Sequence, residues 1–176
     1  MIAPELSRPV KLKGIQNEPV VVEANESERA ALARRFNITS IENLRAVVAL
    51  DPGGDTIKAS GSLTARITQA CAISGEDFPV AIEENLDFVF VPASSGPPVD
   101  AAADIEIELE DDELDEIEYS GDSFDVGEAV AQSLALAIDP YAEGPNADAA
   151  RKSAGISSDD EPSGPLAEAL SALKKN

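Results

Sequence analysis

The chain has 176 residues, enough for one domain with a real core, and 43% of them are apolar, although only 4% are aromatic and none is tryptophan. Its formal charge of −21 lies wholly in the stretch 67–150, which holds 22 carboxylates and no lysine or arginine. Such a surface repels phosphate backbones, which disfavours direct groove binding to DNA or RNA, and it draws in basic partners in a salt-sensitive way.

Residues 9–12 and 18–24 read as short strands, the second carrying Val20, Val21 and Val22. Asn25 with Glu28 three positions on is a capping box. It opens a helix whose buried face would be Ala30, Ala31, Leu32, Ala33 and Phe36. Residues 41–50 read as a strand ended by the turn Asp51-Pro52-Gly53-Gly54-Asp55. From 57 to 71 the alternation is nearly complete. Ile57, Ala59, Gly61, Leu63, Ala65, Ile67, Gln69 and Cys71 share one face of a half-buried antiparallel strand. Ser74-Gly75-Glu76-Asp77 turns the chain into a third long strand, 78–91, with Val80, Ile82, Leu86, Phe88 and Phe90 on one side.

Residues 92–103 have the composition of a linker. The run 104–118 follows, with ten carboxylates in fifteen residues. Ile105, Ile107 and Leu109 alternate with Glu106, Glu108 and Glu110 as in an edge strand, and Leu114, Ile117 and Tyr119 would anchor a second short one. Residues 125–138 predict a helix capped by Ser123 or Asp125, with Glu128 placed for a reciprocal contact in the second case. Val126, Val130, Leu134 and Ala137 or Ile138 would face the sheet, and Asp139-Pro140 would stop the helix. Beyond Tyr141 the composition predicts disorder, relieved by a short terminal helix over 166–175 with Leu166, Leu170 and Leu173 on one side. The expected class is therefore α+β: an antiparallel β-meander sheet covered by one or two helices. The expected organisation is a domain over 5–142, including the linker and acidic segment of 92–118, and a flexible tail over 143–176.

The chain contains no histidine, which removes Ser-His-Asp and Cys-His nucleophile activation and most zinc sites. The glycines of 51–55 lead into a strand and not into a helix, so they form no phosphate loop. Residues 110–118 lack the spaced oxygen ligands and central glycine of a calcium loop. A solvated carboxylate run is also a poor source of two desolvated acids with separated pKa values. No catalytic residue, cofactor or metal is expected. The single cysteine, Cys71, can form no internal disulfide, fits a reducing cytoplasm, and is expected to be buried and inert at its strand end. Nothing at the N-terminus reads as a signal peptide, and no apolar run approaches a membrane span.

Several short motifs occur in a telling order. They are Gly61-Ser62-Leu63, Thr68-Gln69-Ala70-Cys71, Asp77-Phe78-Pro79-Val80, the acidic segment 104–119, Phe124-Asp125-Val126-Gly127-Glu128 and Ser133-Leu134-Ala135-Leu136. In order and spacing, over most of 5–142, the chain resembles the YceD family, the large ribosomal RNA subunit accumulation proteins. Many members carry Cys-x-x-Cys where this chain has Cys71-Ala72-Ile73-Ser74, and further cysteines where 141–150 has none. The metal or redox role tied to those cysteines is therefore not expected here. The resemblance implies a non-enzymatic, cytoplasmic role in large-subunit ribosomal RNA accumulation, hence in ribosome assembly.

Charge and resemblance together point to a basic ribosomal protein or large-subunit assembly factor as partner. It would be bound by Asp104, Glu106, Glu108, Glu110, Asp111, Asp112, Glu113, Asp115, Glu116 and Glu118. The alternative is direct rRNA binding by a basic face on the first helix and adjacent strands. Arg29, Arg34, Arg35 and Arg45 would carry it, with Lys11, Lys13, Lys58 and Arg66 nearby. Neither DNA nor a membrane is an expected partner.

Overall fold

The computed structural model describes residues 4–93 and 115–156. Its elements are β1 (Pro9–Lys11), a 3-10 turn (Leu12–Gly14), β2 (Val20–Glu23), α1 (Glu26–Phe36), β3 (Ser40–Gly53), β4 (Thr56–Ala70), β5 (Asp77–Pro92), β6 (Asp115–Tyr119), β7 (Ser123–Asp125), α2 (Val126–Ala137) and α3 (Ala147–Ser153). This is an α+β fold. Five strands form a mostly antiparallel sheet in the order β2-β3-β4-β5-β6, and β1 pairs separately with β7. The chain divides into two compact units: Met1–Thr68 with Pro79–Ile138, and Gln69–Phe78 with Asp139–Asn176.

In the larger unit, α1 begins as its capping box dictates. Asn25 Oδ1 accepts from the Glu28 N–H at 3.0 Å, and Glu28 Oε2 accepts from the Asn25 N–H at 2.8 Å. It ends at Asn37, whose φ of 56° lets its N–H reach the carbonyls of Ala33 and Arg34. Its buried face is narrower than expected. Leu32 and Ala33 are buried, Ala31 and Phe36 only partly, and Ala30 is exposed.

The strand β3 runs through Pro52 and Gly53, which were expected in the turn. The pair Gly53↔Thr56 leaves a two-residue hairpin loop, Gly54-Asp55, with Gly54 at φ 87°. The alternation of β4 holds as read: Ile57, Ala59, Leu63, Ala65 and Ile67 are all buried. Gly61 on the same face is a position of close backbone approach, because a Cβ there would lie 2.0 Å from the Val47 carbonyl oxygen.

β5 contributes Ile82, Leu86, Phe88 and Phe90 to the core, and α2 contributes Val126, Val130 and Leu134. The Phe90 ring lies 4.4 Å from that of Phe124 and 5.4 Å from that of Phe88, centroid to centroid. Each such fully buried side chain stabilises the fold by about 1.5–3 kcal/mol.

The α+β class is as expected, and β6 joins the mostly antiparallel sheet in parallel with β5, from Phe88↔Asp115 to Pro92↔Tyr119. Parallel neighbours need a long crossover, and the chain between Pro92 and Asp115 has that length. Ile117 is half-buried and Tyr119 buried, with the Tyr119 hydroxyl donating to the Asp55 carbonyl at 2.6 Å. The expected edge strand around Ile105, Ile107 and Leu109, with Leu114, lies outside the described residues.

Asp125, the junction of β7 and α2, resolves the choice of cap. Its Oδ1 accepts from the N–H groups of Gly127 (2.9 Å) and Glu128 (3.2 Å). It also receives the Arg8 N–H at 2.7 Å, and Oδ2 receives the Ser7 hydroxyl at 2.6 Å. Glu128 does not make the expected reciprocal contact, because its carboxylate is taken by Arg35. Arg8 extends the junction to α1, with its guanidinium on both Glu28 oxygens at 2.8 and 3.0 Å.

In the smaller unit, Gly75 at φ 71° closes the turn after Cys71. Ala72 N–H donates to the Ala142 carbonyl, the Gln69 amide to the Asp139 carbonyl, and the Asn146 amide to Glu76. Residues 147–153 form α3, where composition suggested no regular structure. Three alanines favour the helix, and Arg151 beside Glu143 and Asp148 ties it to the preceding loop. The expected helix over 166–175 lies outside the described residues.

Candidate partner-binding site

Of the ten carboxylates assigned to partner binding, Asp115, Glu116 and Glu118 stand on β6 and are exposed. Asp104, Glu106, Glu108, Glu110, Asp111, Asp112 and Glu113 lie outside the described residues. Beside β6 the sheet and α2 enclose a cleft of about 230 Å³, lined by Glu84, Asp87 and Phe88 of β5, Asp115 of β6, and Ser133 and Leu136 of α2. Glu84 and Asp87 were not singled out in the sequence. Their signal is a slip in the strand pattern, where Glu83, Glu84 and Asn85 are three consecutive exposed polar residues between buried Ile82 and Leu86.

The four arginines of the alternative reading separate into two groups. Arg29 and Arg34 line a groove of about 380 Å³ along α1, and Arg29 and Arg45 line a neighbouring one of about 450 Å³. Arg29 also donates to the Ala24 carbonyl at 2.7 Å, and Arg45 reaches Glu23 at 3.3 Å. Arg35 is elsewhere engaged, bidentate on Glu128 at 2.8 and 3.0 Å and 3.0 Å from Glu5. The Glu128 hydrogen bond, assisted by Glu5, pushes the Arg35 guanidinium above its ordinary range, and Arg35 in turn holds Glu128 below the usual carboxylate value. Arg35 therefore braces α1 against α2.

Cys71 is 3% exposed and its sulfur accepts from the N–H groups of Ile73 (3.4 Å) and Ser74 (3.3 Å). The Ser74 hydroxyl is the largest influence on the thiol. With the Ser74, Gly144 and Ile73 backbones it outweighs the opposing effect of burial and lowers the pKa from 9.0 to about 7. The thiol is buried as expected, but it is polarised and not merely apolar filling. Between about pH 7 and 9.0 the native state has lost this proton while the unfolded state keeps it, so stability rises with pH across that window. Ultraviolet thiolate absorbance is expected to titrate near 7 in the folded protein and markedly higher in Ser74→Ala.

Among the described residues no group of three or more Cys, Asp or Glu is placed to hold a metal ion, and no helix is long and apolar enough to cross a membrane. Residues 59–174 match the family model described as large ribosomal RNA subunit accumulation protein YceD. The chain belongs to this family. Every motif on which the resemblance rests, from Gly61 to Leu136, falls inside the matched stretch, which also continues past residue 142. The family's name ties its members to accumulation of the large ribosomal RNA subunit. No curated protein and no solved structure matches the chain.

Proposed function

We propose that this protein is a non-enzymatic cytoplasmic factor in large-subunit assembly that binds a basic ribosomal protein or assembly partner through its acidic segment. The observation that carries the reading is the cation-free stretch 67–150 with its 22 carboxylates. The exposure of Asp115, Glu116 and Glu118 on β6 supports it, since solvated charges steer a partner without a large desolvation cost. The working domain would be 5–142, with 143–176 as its tail. A basic protein held on such a surface would be kept from non-specific phosphate contacts until rRNA displaces the factor.

A second reading, direct rRNA contact, is favoured by one observation: Arg29, Arg34 and Arg45 converge on two adjoining grooves. One experiment separates the two. The full chain is affinity-purified from growing cells at low and high salt, and bound proteins and RNA are identified separately. Basic large-subunit proteins are expected at low salt, reduced by about tenfold at high salt or on neutralising the ten carboxylates to Asn and Gln. Recovery of rRNA without basic protein, abolished by Arg34→Glu with Arg45→Glu, would overturn the first reading and establish the second.

A further inference from the structure

We propose that the cleft between β5, β6 and the C-terminal end of α2 is the point where a basic segment of the protein partner docks, seating a lysine or arginine among Glu84, Asp87 and Asp115 with a neighbouring apolar residue on Leu136. This rests on the reading that the partner is a basic protein, and it replaces diffuse attraction with a defined seat.

Three observations of different kinds meet there. The first is charge: three carboxylates from two strands line a space of about 230 Å³, and the sequence supplies no lysine or arginine from 67 to 150 to neutralise them. The second is the helix end. A helix C-terminus carries a partial negative charge on its last carbonyls, usually offset by basic side chains. α1 has Arg34 and Arg35 in its last turn and α3 has Arg151 and Lys152, whereas α2 has none. Its uncompensated end, at Ser133, Leu136 and Ala137, forms one wall of the cleft. A cation seated there faces both carboxylates and helix carbonyls.

The third is apolar. Leu136 is 82% exposed, the most exposed large hydrophobic among the described residues, although it belongs to a helix whose other leucine, Leu134, is wholly buried. Phe88 lines the same cleft. An aliphatic stem ending in a charge fits such a mixed lining, because lysine and arginine bury their methylenes while their heads stay with polar partners. An apolar residue alongside would cover Leu136 and give the contact the hydrophobic component that lasting complexes have at their centre. The occupant is therefore a segment mixing cationic and apolar residues. A purely cationic one would leave Leu136 in water.

The test uses the full chain and a fluorescein-labelled synthetic peptide of alternating arginine and leucine, with binding read by anisotropy. Glu84→Gln with Asp87→Asn and Asp115→Asn is expected to weaken binding by about tenfold, and Leu136→Ser by about fivefold. Removing the same number of charges at Glu18, Asp51 and Asp55, exposed carboxylates outside both the cleft and the acidic segment, should cost about twofold or less. An arginine–serine peptide should bind the unchanged chain more weakly and be indifferent to Leu136→Ser, which couples Leu136 to the apolar residue of the probe. Leu136 is solvent-exposed, so its replacement leaves the fold intact, with the melting temperature as the check. Unchanged binding by Leu136→Ser, or equal loss from the two charge-removing variants, would overturn the cleft while leaving a diffuse acidic surface standing. No loss from any variant would overturn the acidic-surface reading as well.

Discussion

Replacing Gly61 by alanine is expected to lower stability by about 3 kcal/mol, enough to leave a marginal domain largely unfolded at moderate denaturant. Gly61 lies opposite Val48 in the β3–β4 register. The added Cβ would meet the Val47 carbonyl oxygen at 2.0 Å, with the Val47 carbonyl carbon and the Val48 Cα at 3.0 Å. All three are backbone atoms, so no rotamer change relieves the clash, and two of the longest strands of the sheet must move apart. Overfilling a core ordinarily costs about 1–3 kcal/mol, and a rigid backbone neighbour puts this case at the upper end. In urea the midpoint should fall by about 1 M or more with little change in slope. Gly14→Ala is the control, since its nearest neighbour would be the Lys11 Cβ at 3.8 Å, and it should stay within about 0.5 kcal/mol of the unchanged chain. Equal midpoints for the two variants would show that the strands do not approach so closely.

Asp125→Ala is expected to cost about 3 kcal/mol by a different route. The loss of an N-cap alone costs about 0.5–2 kcal/mol. Here the same carboxylate also receives the Arg8 N–H and the Ser7 hydroxyl, and hydrogen bonds to a charged acceptor contribute about 1.5–3 kcal/mol each in favourable cases. Asp125→Asn keeps an oxygen for the helix N–H groups and should cost only about 1 kcal/mol. Denaturation midpoints give the ranking. Amide exchange at Val10 and Lys11 should rise in the alanine variant, because the junction that seats β1 beside β7 is lost. Equal costs for the two substitutions would mean that capping is not the dominant role of Asp125.

These two residues differ in how far the sequence announced them. The alternation of β4 and the Asn25–Glu28 capping box are local patterns, and both appear in the structure as read. Asp125 was a cap candidate, yet nothing near it in sequence points to Ser7 and Arg8. Glu128 had the spacing of a capping box and was drawn instead to Arg35, because a bidentate arginine across two helices outcompetes a neutral backbone donor. The same pairing withdrew Arg35 from the basic face that composition suggested. The parallel pairing of β6 was invisible for a similar reason, since strand direction is set by the crossover and not by the strand's own residues. The cleft was half legible. Leu136 stood in a quoted motif, but its exposure depends on which side of α2 meets the sheet, and only packing decides that.

The bond from Ser7 to Asp125 spans 118 positions of sequence. During synthesis, β1 and the turn after it emerge before the five-stranded sheet, and the strand partner of β1 is absent until β7 has also been made. Contacts of such long range make folding slow relative to helical proteins of the same size. β1 must therefore wait for this partner through translation of nearly the whole sheet. A member of the family named for accumulation of the large ribosomal RNA subunit thus completes this part of its fold only after Asp125 has been translated.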